Sequence, residues 1–193
     1  MSSVKKQRTP LSDNDRATLI RVARESIRYG LEHHHALPVV ASDYPDSLQQ
    51  IRASFVTLNL SGRLRGCIGH LEATQPMVKD VSDNAFAAAF QDPRFSALTQ
   101  DEFLQVDIQL SLLTAAEPLN FNSEQELLSL LHPGEDGLIL EEGYNRGTFL
   151  PSVWEQLADP KDFLRHLKIK AGLTPDYWSD NLQISRYTTE SFS

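Results

Sequence analysis

The chain has a single cysteine among its 193 residues. One cysteine cannot close a disulfide within the chain, and zinc sites combine several thiolates or imidazoles at set spacings. His33, His34 and His35 are consecutive, so on a helix their side chains would point about 100° apart and could not converge on one ion. We therefore expect no metal site, and no phosphate-binding glycine loop or other pattern indicates a cofactor.

Basic residues are also scarce, since 18 Lys and Arg stand against 26 Asp and Glu and the net charge is -8. General binding of nucleic acid rests on a basic face, so we expect none here. No apolar run approaches the roughly 20 residues that span a bilayer, and no apolar stretch follows Lys5, Lys6 and Arg8 as in a signal peptide. We expect a cytoplasmic protein that is not embedded in a membrane.

The periodicity of apolar residues predicts an α+β fold. Helical spacing predicts helices that begin at Ser12 or Asp13, near Thr74 to Pro76, at Ser123, at Pro151 and at Pro160. Alternation predicts strands over residues 55–60, 64–68, 106–112, 138–140, 148–150 and 182–187. Because strands arrive as hairpins and singles with helices between them, we expect a mostly antiparallel sheet flanked by helices.

The first hairpin sets the geometry of the central segment. A two-residue loop at Ser61 and Gly62 would mix arginines into the apolar face, so a three-residue loop over 60–62, with Gly62 left-handed, is favoured. This register places on one face Val56, Leu58, Leu64, Gly66 and Ile68, and on the other Phe55, Thr57, Arg65 and Cys67.

The segment 64–70, LRGCIGH, is the most plausible centre of chemistry. Cys67 is the only soft nucleophile, and Arg65 together with backbone amides freed by Gly66 and Gly69 is the kind of environment that stabilises a thiolate. The alternative is that Cys67 is a small apolar filler of the core. His70, three positions on, lies across a regular strand from Cys67, so we do not expect the two to pair.

Two further places carry candidate site residues. Asp92 and Arg94 follow a helix, where they could bind a carboxylate or phosphate or orient a partner of Cys67; the alternative is a capping carboxylate and a surface arginine. Lys170 is either a cation in a cleft or the positive residue common near a helix C-terminus.

Six motifs occur in order across about residues 14–190: 64–69 (LRGCIG), 92–95 (DPRF), 132–137 (HPGEDG), 150–153 (LPSV), 170–173 (KAGL) and Trp178. Together they resemble the AMMECR-type domain family, known in prokaryotes as protein A of the AmmeMemoRadiSam system. The resemblance implies one domain over residues 13–193, built around an antiparallel sheet with a smaller second lobe. The polar composition of residues 1–12 predicts a loose segment before it. The resemblance also implies partners, a Memo-like protein and a radical S-adenosylmethionine enzyme, in an unknown modification.

The sequence departs from the family pattern at two places. His70 stands where relatives often have a small hydroxyl residue, and Lys168 and Ile169 stand where many relatives have a cysteine. The resemblance therefore supports neither a shared histidine base nor a mechanism with two thiols.

Two hypotheses of different classes follow. In the first, the chain is an enzyme or a substrate-presenting subunit, in which Arg65 and Arg94 bind an anionic group or small molecule beside Gly66 and Gly69. Cys67 is then the nucleophile or a redox-sensitive thiol, Asp92 is a catalytic candidate that orients Arg94, and Lys170 contributes charge. In the second, the chain is a non-catalytic module for protein interaction, and the glycines serve close packing against an alanine-rich helix.

Overall fold

The computed structural model describes residues 11–193, which fall into two compact units. The first unit comprises the described residues up to Leu112 together with Ser191–Ser193, and the second comprises Leu113–Glu190. Of the segment expected to be loose, 1–12, all but the last two residues lie outside the described part of the chain. The single domain over 13–193 stays a prediction.

The elements confirm the α+β class with antiparallel sheets. The helices are α1 (Asp13–His33), α2 (Met77–Phe90), α3 (Gln100–Phe103), α4 (Glu124–Leu130) and α5 (Pro160–Lys170), with short 3₁₀ turns at Ala41–Asp43 and Pro151–Glu155. The strands are β1 (Ser54–Leu60), β2 (Arg63–Gly69), β3 (Val106–Leu113), β4 (Glu117–Pro118), β5 (Gly137–Glu142), β6 (Asn145–Phe149), β7 (Gln183–Tyr187) and β8 (Thr189–Phe192).

The first unit is a four-stranded sheet in the order β2-β1-β3-β8, with α2 packed on β1 and β2 and α1 packed on α2. Alternation along β1 buries Val56 and Leu58, whereas the intervening Thr57 is only half-buried. The buried residues join the core with Leu110 and Leu112 of β3. One face of the sheet is therefore apolar and covered by helix, and the other carries polar side chains.

The turn of the first hairpin differs from the prediction. Leu60 pairs with Arg63, so the loop has two residues, Ser61 and Gly62, whose φ angles are 52° and 74°. Two consecutive positive φ angles define a type I′ turn, which matches the twist of the strands. The three-residue loop was therefore wrong.

The extra residue lies inside β2 instead of at the turn. Leu58 pairs with Gly66 but Asn59 pairs with Leu64, so Arg65 is bulged out of the register. Beyond this bulge the predicted faces are confirmed, because Val56 lies opposite Ile68 and Thr57 opposite Cys67. On the turn side of the bulge the prediction is wrong, because Leu64 was expected on the apolar face but is 44% exposed. A bulge restores the apolar alternation that a two-residue loop alone would break.

Gly66 permits the close contact between β2 and α2. A Cβ atom at Gly66 would lie 2.1 Å from the carbonyl oxygen of Ala88, a backbone atom that cannot move without the helix. A Cβ at Gly69 would instead lie 2.3 Å from the carbonyl oxygen of Ser54 on the neighbouring strand. The LRGCIG segment is thus held between a helix and a strand with no room for side chains at its two glycines.

The second unit is a separate antiparallel sheet in the order β4-β7-β5-β6. Its core joins Leu138 and Leu140 of β5 to Phe163 and Leu167 of α5. Trp154 stacks on Phe163 with ring centroids 3.7 Å apart. The predicted hairpin is confirmed, although its strands run to Glu142 and Asn145, so that the turn is shorter than expected.

Most helix starts agree with the sequence, but Pro151 begins a 3₁₀ turn and not the expected helix. The Ser12 hydroxyl caps α1 by accepting from the N–H of Asp15, and Asp159 caps α5, in which Pro160 is the first residue. At α4 the Ser123 hydroxyl accepts from the N–H of Glu126, and the Glu126 carboxylate accepts from the N–H of Asn122. No helix within residues 11–193 combines the length and apolarity needed to cross a bilayer.

Candidate functional site

Asp92 connects the end of α2 to the middle of β2. The helix stops at Phe90, before a proline at position 93 that disfavours helical geometry in the preceding residue. Asp92 is buried, and its Oδ2 accepts a hydrogen bond of 2.9 Å from the backbone N–H of Cys67. The loop after α2 is thereby fastened to the strand at the position of the cysteine.

Arg94 forms a two-pronged ion pair with the same carboxylate. Its Nε lies 2.9 Å from Oδ1 and its Nη2 lies 2.7 Å from Oδ2 of Asp92. Nη2 also reaches the carbonyl oxygen of Cys67 at 3.3 Å. Hydrogen bonds from Arg94, aided by the Cys67 N–H, outweigh burial and hold the pKa of Asp92 well below its usual range. Bonding to Asp92 raises the pKa of Arg94 in turn.

The Cys67 side chain lies on the polar face of the first sheet. It is half-buried, and its Sγ lies 3.3 Å from Oγ1 of Thr57, which is directly opposite on β1. Thr57 in turn lies opposite Gln109 of β3, whose side chain is exposed. A row of thiol, hydroxyl and amide thus crosses three strands on the face that the helices of this unit leave uncovered.

Arg65 makes a different kind of contact from Arg94. Its Nε and Nη2 bind the two carboxylate oxygens of Glu102 at 2.8 Å and 2.9 Å, and its side chain is only 10% exposed. Bonds from Arg65, then from the N–H of Thr99, lower the pKa of Glu102 to about 2. Arg65 thereby holds the short helix α3 against β2.

The ring of Phe95 lies near both guanidinium groups. The Cζ atoms of Arg65 and Arg94 are 5.8 Å and 5.5 Å from its centroid. Cations over an aromatic face are attracted by its quadrupole, so the half-buried ring stabilises both arginines in place. The DPRF segment therefore supplies a carboxylate, a guanidinium and a ring to one cluster.

Six of the seven candidate site residues come together in the first unit, and one does not. Cys67, Asp92 and Arg94 are bonded to one another, with Arg65, Gly66 and Gly69 on the same strand as the cysteine. Lys170 belongs to the second unit, at the last turn of α5, where its Nζ lies 5.1 Å from the centroid of the Phe149 ring. Its part in a site stays a prediction.

His70 does not approach the thiol. Its Nδ1 lies 3.7 Å from Oδ1 of Asp80, a buried carboxylate that also accepts from the Ser54 hydroxyl at 2.6 Å. Within residues 11–193 no three His, Cys, Asp or Glu side chains converge to hold a metal ion.

Sequence and structure comparisons place the chain among known proteins. The AMMECR1 family model matches residues 20–192. The chain belongs to the AMMECR1 family. A protein of Methanothermobacter thermautotrophicus is 37% identical over 185 residues, covering 95% of this chain and 96% of the relative. A protein of Methanocaldococcus jannaschii is 36% identical over 158 residues, covering 80% and 79%.

A solved structure has the same fold. The crystal structure of an uncharacterised protein of Pyrococcus horikoshii superposes with a TM-score of 0.83 at 31% identity, covering 94% of this chain and 92% of that one. The predicted family resemblance is thus confirmed for this chain.

Two residues of the cluster, Glu102 and Phe95, were not identified from the sequence as partners of its arginines. Glu102, the partner of Arg65, lies 37 positions along the chain from it, and nothing local marks it as that partner. Phe95 was noted only as part of a motif, although the adjacent Arg94 could have suggested a stacked pair. Thr57 was placed on the face of Cys67 by strand alternation, which confirms that part of the prediction.

Proposed function

We propose that this AMMECR1 protein carries a thiol site for a small anionic substrate, and acts as an enzyme or as a substrate-presenting subunit. The observation that supports this most directly is the arrangement of Cys67, Asp92 and Arg94. The buried carboxylate of Asp92 accepts from the backbone N–H of Cys67, and the guanidinium of Arg94 that it holds donates to the carbonyl oxygen of the same residue. An anion that binds this arginine is thereby brought beside the sulfur.

Arg94 is the group available to an anion. Its side chain is 55% exposed, and its Nη1 has no hydrogen-bond partner among the residues that the structure describes. Asp92 occupies Nε and Nη2 and fixes the plane of the guanidinium. A carboxylate or phosphate approaching from solvent therefore meets a preoriented donor, and the entropy cost of ordering this arginine has been met in folding.

Cys67 supplies the reactive atom of the proposed site, as a nucleophile or as a redox-sensitive thiol. Its nearest polar neighbour is the Thr57 hydroxyl, which can donate to the sulfur or accept from it. The flanking Gln109 extends the same polar row and could bind a carbonyl or amide of the substrate. These groups define a site with an anionic end at Arg94 and a neutral polar end along β1 and β3.

Arg65 acts through other residues in this proposal. Its guanidinium is buried against Glu102, and its Nη2 also reaches the carbonyl oxygen of Ala97 at 3.4 Å. It is a positioning residue that holds α3 and the loop before it against β2. The role of Lys170 as a binding cation stays a prediction from its motif position.

The cellular setting of the proposal comes from the family resemblance. The chain would act in the cytoplasm with a Memo-like protein and a radical S-adenosylmethionine enzyme, on a substrate that either partner makes or consumes. The acidic net charge of -8 supports a small-molecule or protein substrate over general nucleic-acid binding.

Alkylation by reagents of different charge tests the site. Iodoacetate carries a carboxylate and iodoacetamide does not, so the ratio of their rates with Cys67 reports on a nearby anion-binding group. A unit charge about 4 Å away in water changes a rate about fivefold, and we expect the native ratio to exceed that of the urea-unfolded chain by about this factor. Arg94→Gln should abolish the excess, and Arg94→Lys should retain part of it.

Arg28→Gln is the matched control, because Arg28 is 52% exposed and paired with Glu25 on α1, away from the thiol. Its ratio should equal that of the unmodified chain. Equal ratios in the native and unfolded forms of the unmodified chain would refute the proposed anion site. So would an undiminished excess in an Arg94→Gln variant shown by circular dichroism to be folded.

The packing at Gly66 favours a second function, the non-catalytic interaction module. The contact with Ala88 and the buried Arg65–Glu102 pair give the LRGCIG segment a structural role that needs no reaction. In that case the ratio of the iodoacetate rate to the iodoacetamide rate is the same in the native and the unfolded chain, and substitution of Cys67 by Ser leaves partner binding unchanged.

A further inference from the structure

A groove of about 770 Å³ lies in the second unit, on a part of the chain that the thiol site does not use. Strand β7 and the segment 118–122 form its sides, and its lining includes Phe121, Glu126, Trp178, Asp180 and Gln183. The volume is within the range of about 300 to 1,000 Å³ that is usual for small-molecule sites. The groove therefore has the size of a ligand site.

Two aromatic rings form an angled wall of the groove. The centroids of Phe121 and Trp178 are 5.8 Å apart and their planes are inclined by 57°. Both side chains are half-buried, so each keeps part of its ring surface exposed. Inclined aromatic surfaces of this kind are the walls with which proteins surround organic cations.

Trp178 is held in place from two sides. Tyr177 and Ser179 flank Trp178 in the chain, and their hydroxyl groups donate to the Glu142 carboxylate at 3.1 Å and 3.2 Å. The Nζ of Lys168 lies 5.8 Å from the Trp178 ring. Lys168 is fully buried and bonded to Glu124 at 2.7 Å, so its charge is compensated. The indole is thus preorganised, which lowers the cost of binding a ligand against it.

The charged groups of the lining are both carboxylates, Glu126 and Asp180. Glu126 accepts from the N–H and the side-chain amide of Asn122, and neither carboxylate has a cationic partner within residues 11–193. Two other carboxylates of this unit are paired, Glu124 with Lys168 and Glu141 with Arg146. The groove therefore carries uncompensated negative charge beside its aromatic wall.

We propose that this groove binds a small organic cation bearing ammonium groups, of the polyamine class. The ammonium of such a ligand lies over the exposed face of Trp178 or Phe121, and the carboxylates of Glu126 and Asp180 balance its charge. Gln183, exposed on β7, supplies a neutral hydrogen-bonding group. The proposal is independent of the thiol site, and either can fail without the other.

Titration with spermidine tests the proposal. Calorimetry at low ionic strength should show one saturable site, and the fluorescence of Trp178 should change while that of the buried Trp154, bonded to the carbonyl of Asp136, stays constant. To separate the two signals, we would use Trp154→Phe and Trp178→Phe. Triethylene glycol, a neutral chain of similar length, and inorganic phosphate should not saturate the site.

Substitutions at the carboxylates give the quantitative test. Asp180→Asn and Glu126→Gln should each weaken spermidine binding about fivefold, since each removes one close opposite charge. Glu155→Gln, which removes an exposed carboxylate of the same unit outside the groove, should leave binding unchanged. Added salt should weaken binding in the unmodified chain more than in the two groove variants.

Several outcomes would overturn the proposal. These are the absence of saturable spermidine binding, equal binding of triethylene glycol, or equal loss in Glu155→Gln and Asp180→Asn. A lysine-containing peptide that binds the groove when spermidine does not would also overturn it, because the cation would then belong to a protein partner.

Discussion

Oδ2 of Asp92 accepts a hydrogen bond of 2.9 Å from the backbone N–H of Cys67. A carboxylate buried in this way is stable because Arg94 and backbone donors satisfy its oxygens. The bond joins the DPRF segment to the LRGCIG segment, which are separate in the sequence. The two motifs are therefore linked in the folded chain, and a substitution in one should alter the structure around the other.

Loss of the Asp92 charge should destabilise the first unit. Asp92→Ala removes the acceptor of the Cys67 N–H and leaves that donor unsatisfied, which costs about 3 kcal/mol in the free energy of unfolding. The measurement is the midpoint of urea denaturation. Asp43→Asn, at an exposed position, is the control and should leave the midpoint unchanged. Equal stability of Asp92→Ala and the unmodified chain would contradict the role assigned to this bond.

Stability should fall in acid because two carboxylates have lowered pKa values. The folded-state pKa of Glu102 is about 2, against about 4.3 for an unperturbed glutamate, and the pKa of Asp92 is lowered as well. A group whose pKa is depressed by folding stabilises the native state above its unfolded pKa, and this contribution is lost as the pH falls toward the folded value. Denaturation midpoints should therefore decline from about pH 5 to pH 2.

Glu102→Gln provides the comparison for this pH dependence. It should be less stable than the unmodified chain at pH 6, with a shallower decline in acid, so that the two stabilities converge near pH 2. Parallel pH profiles would show that the Arg65–Glu102 pair is not linked to folding.

Gly66→Ala should be strongly destabilising, because the added methyl group would meet the Ala88 carbonyl at 2.1 Å. Separation of β2 from α2 costs about 3 kcal/mol, at the upper end of measured overpacking effects. Gly134→Ala is the control: its surroundings are open, and its φ of 86° makes a cost of about 1 kcal/mol the expected result. If Gly66→Ala is no less stable than Gly134→Ala, the close packing of β2 on α2 is contradicted.

Ser61→Asn should stabilise the hairpin by about 0.5 kcal/mol, since Asn-Gly is favoured where both turn residues have positive φ. The measurement is again the midpoint of denaturation. In the three-residue loop that the sequence favoured, residue 61 would have a negative φ and asparagine would bring no gain, so the substitution distinguishes the two turns.

The sequence predicted what depends on local periodicity and capping. Ser12 and Pro160 mark helix starts, and alternation at Val56, Leu58 and Ile68 identifies the buried face of the first hairpin. The bulge at Arg65 was not foreseen, because the pattern shows that one extra residue is needed but does not show where it lies. The bulged Arg65 makes a buried contact with Glu102, and this contact forms only when distant segments meet.

The residues of the candidate site were predicted from the sequence, but the hydrogen bonds between them were not. Cys67, Asp92 and Arg94 were named from residue type and family motif, and all three lie in one cluster. The hydrogen bond between a carboxylate and the strand backbone depends on where α2 ends in space, which no local pattern encodes. The groove at Trp178 was missed for the same reason, as its walls come from segments more than fifty positions apart.

The most direct test of the thiol site is the rate at which neutral iodoacetamide alkylates Cys67 in the native protein, with the urea-unfolded chain as reference. The half-buried thiol on the uncovered polar face of its sheet should react in the native state at no less than about a tenth of the unfolded rate. Full labelling of the unfolded chain, with none of the native one, would show a thiol closed to substrate and would contradict the proposed function.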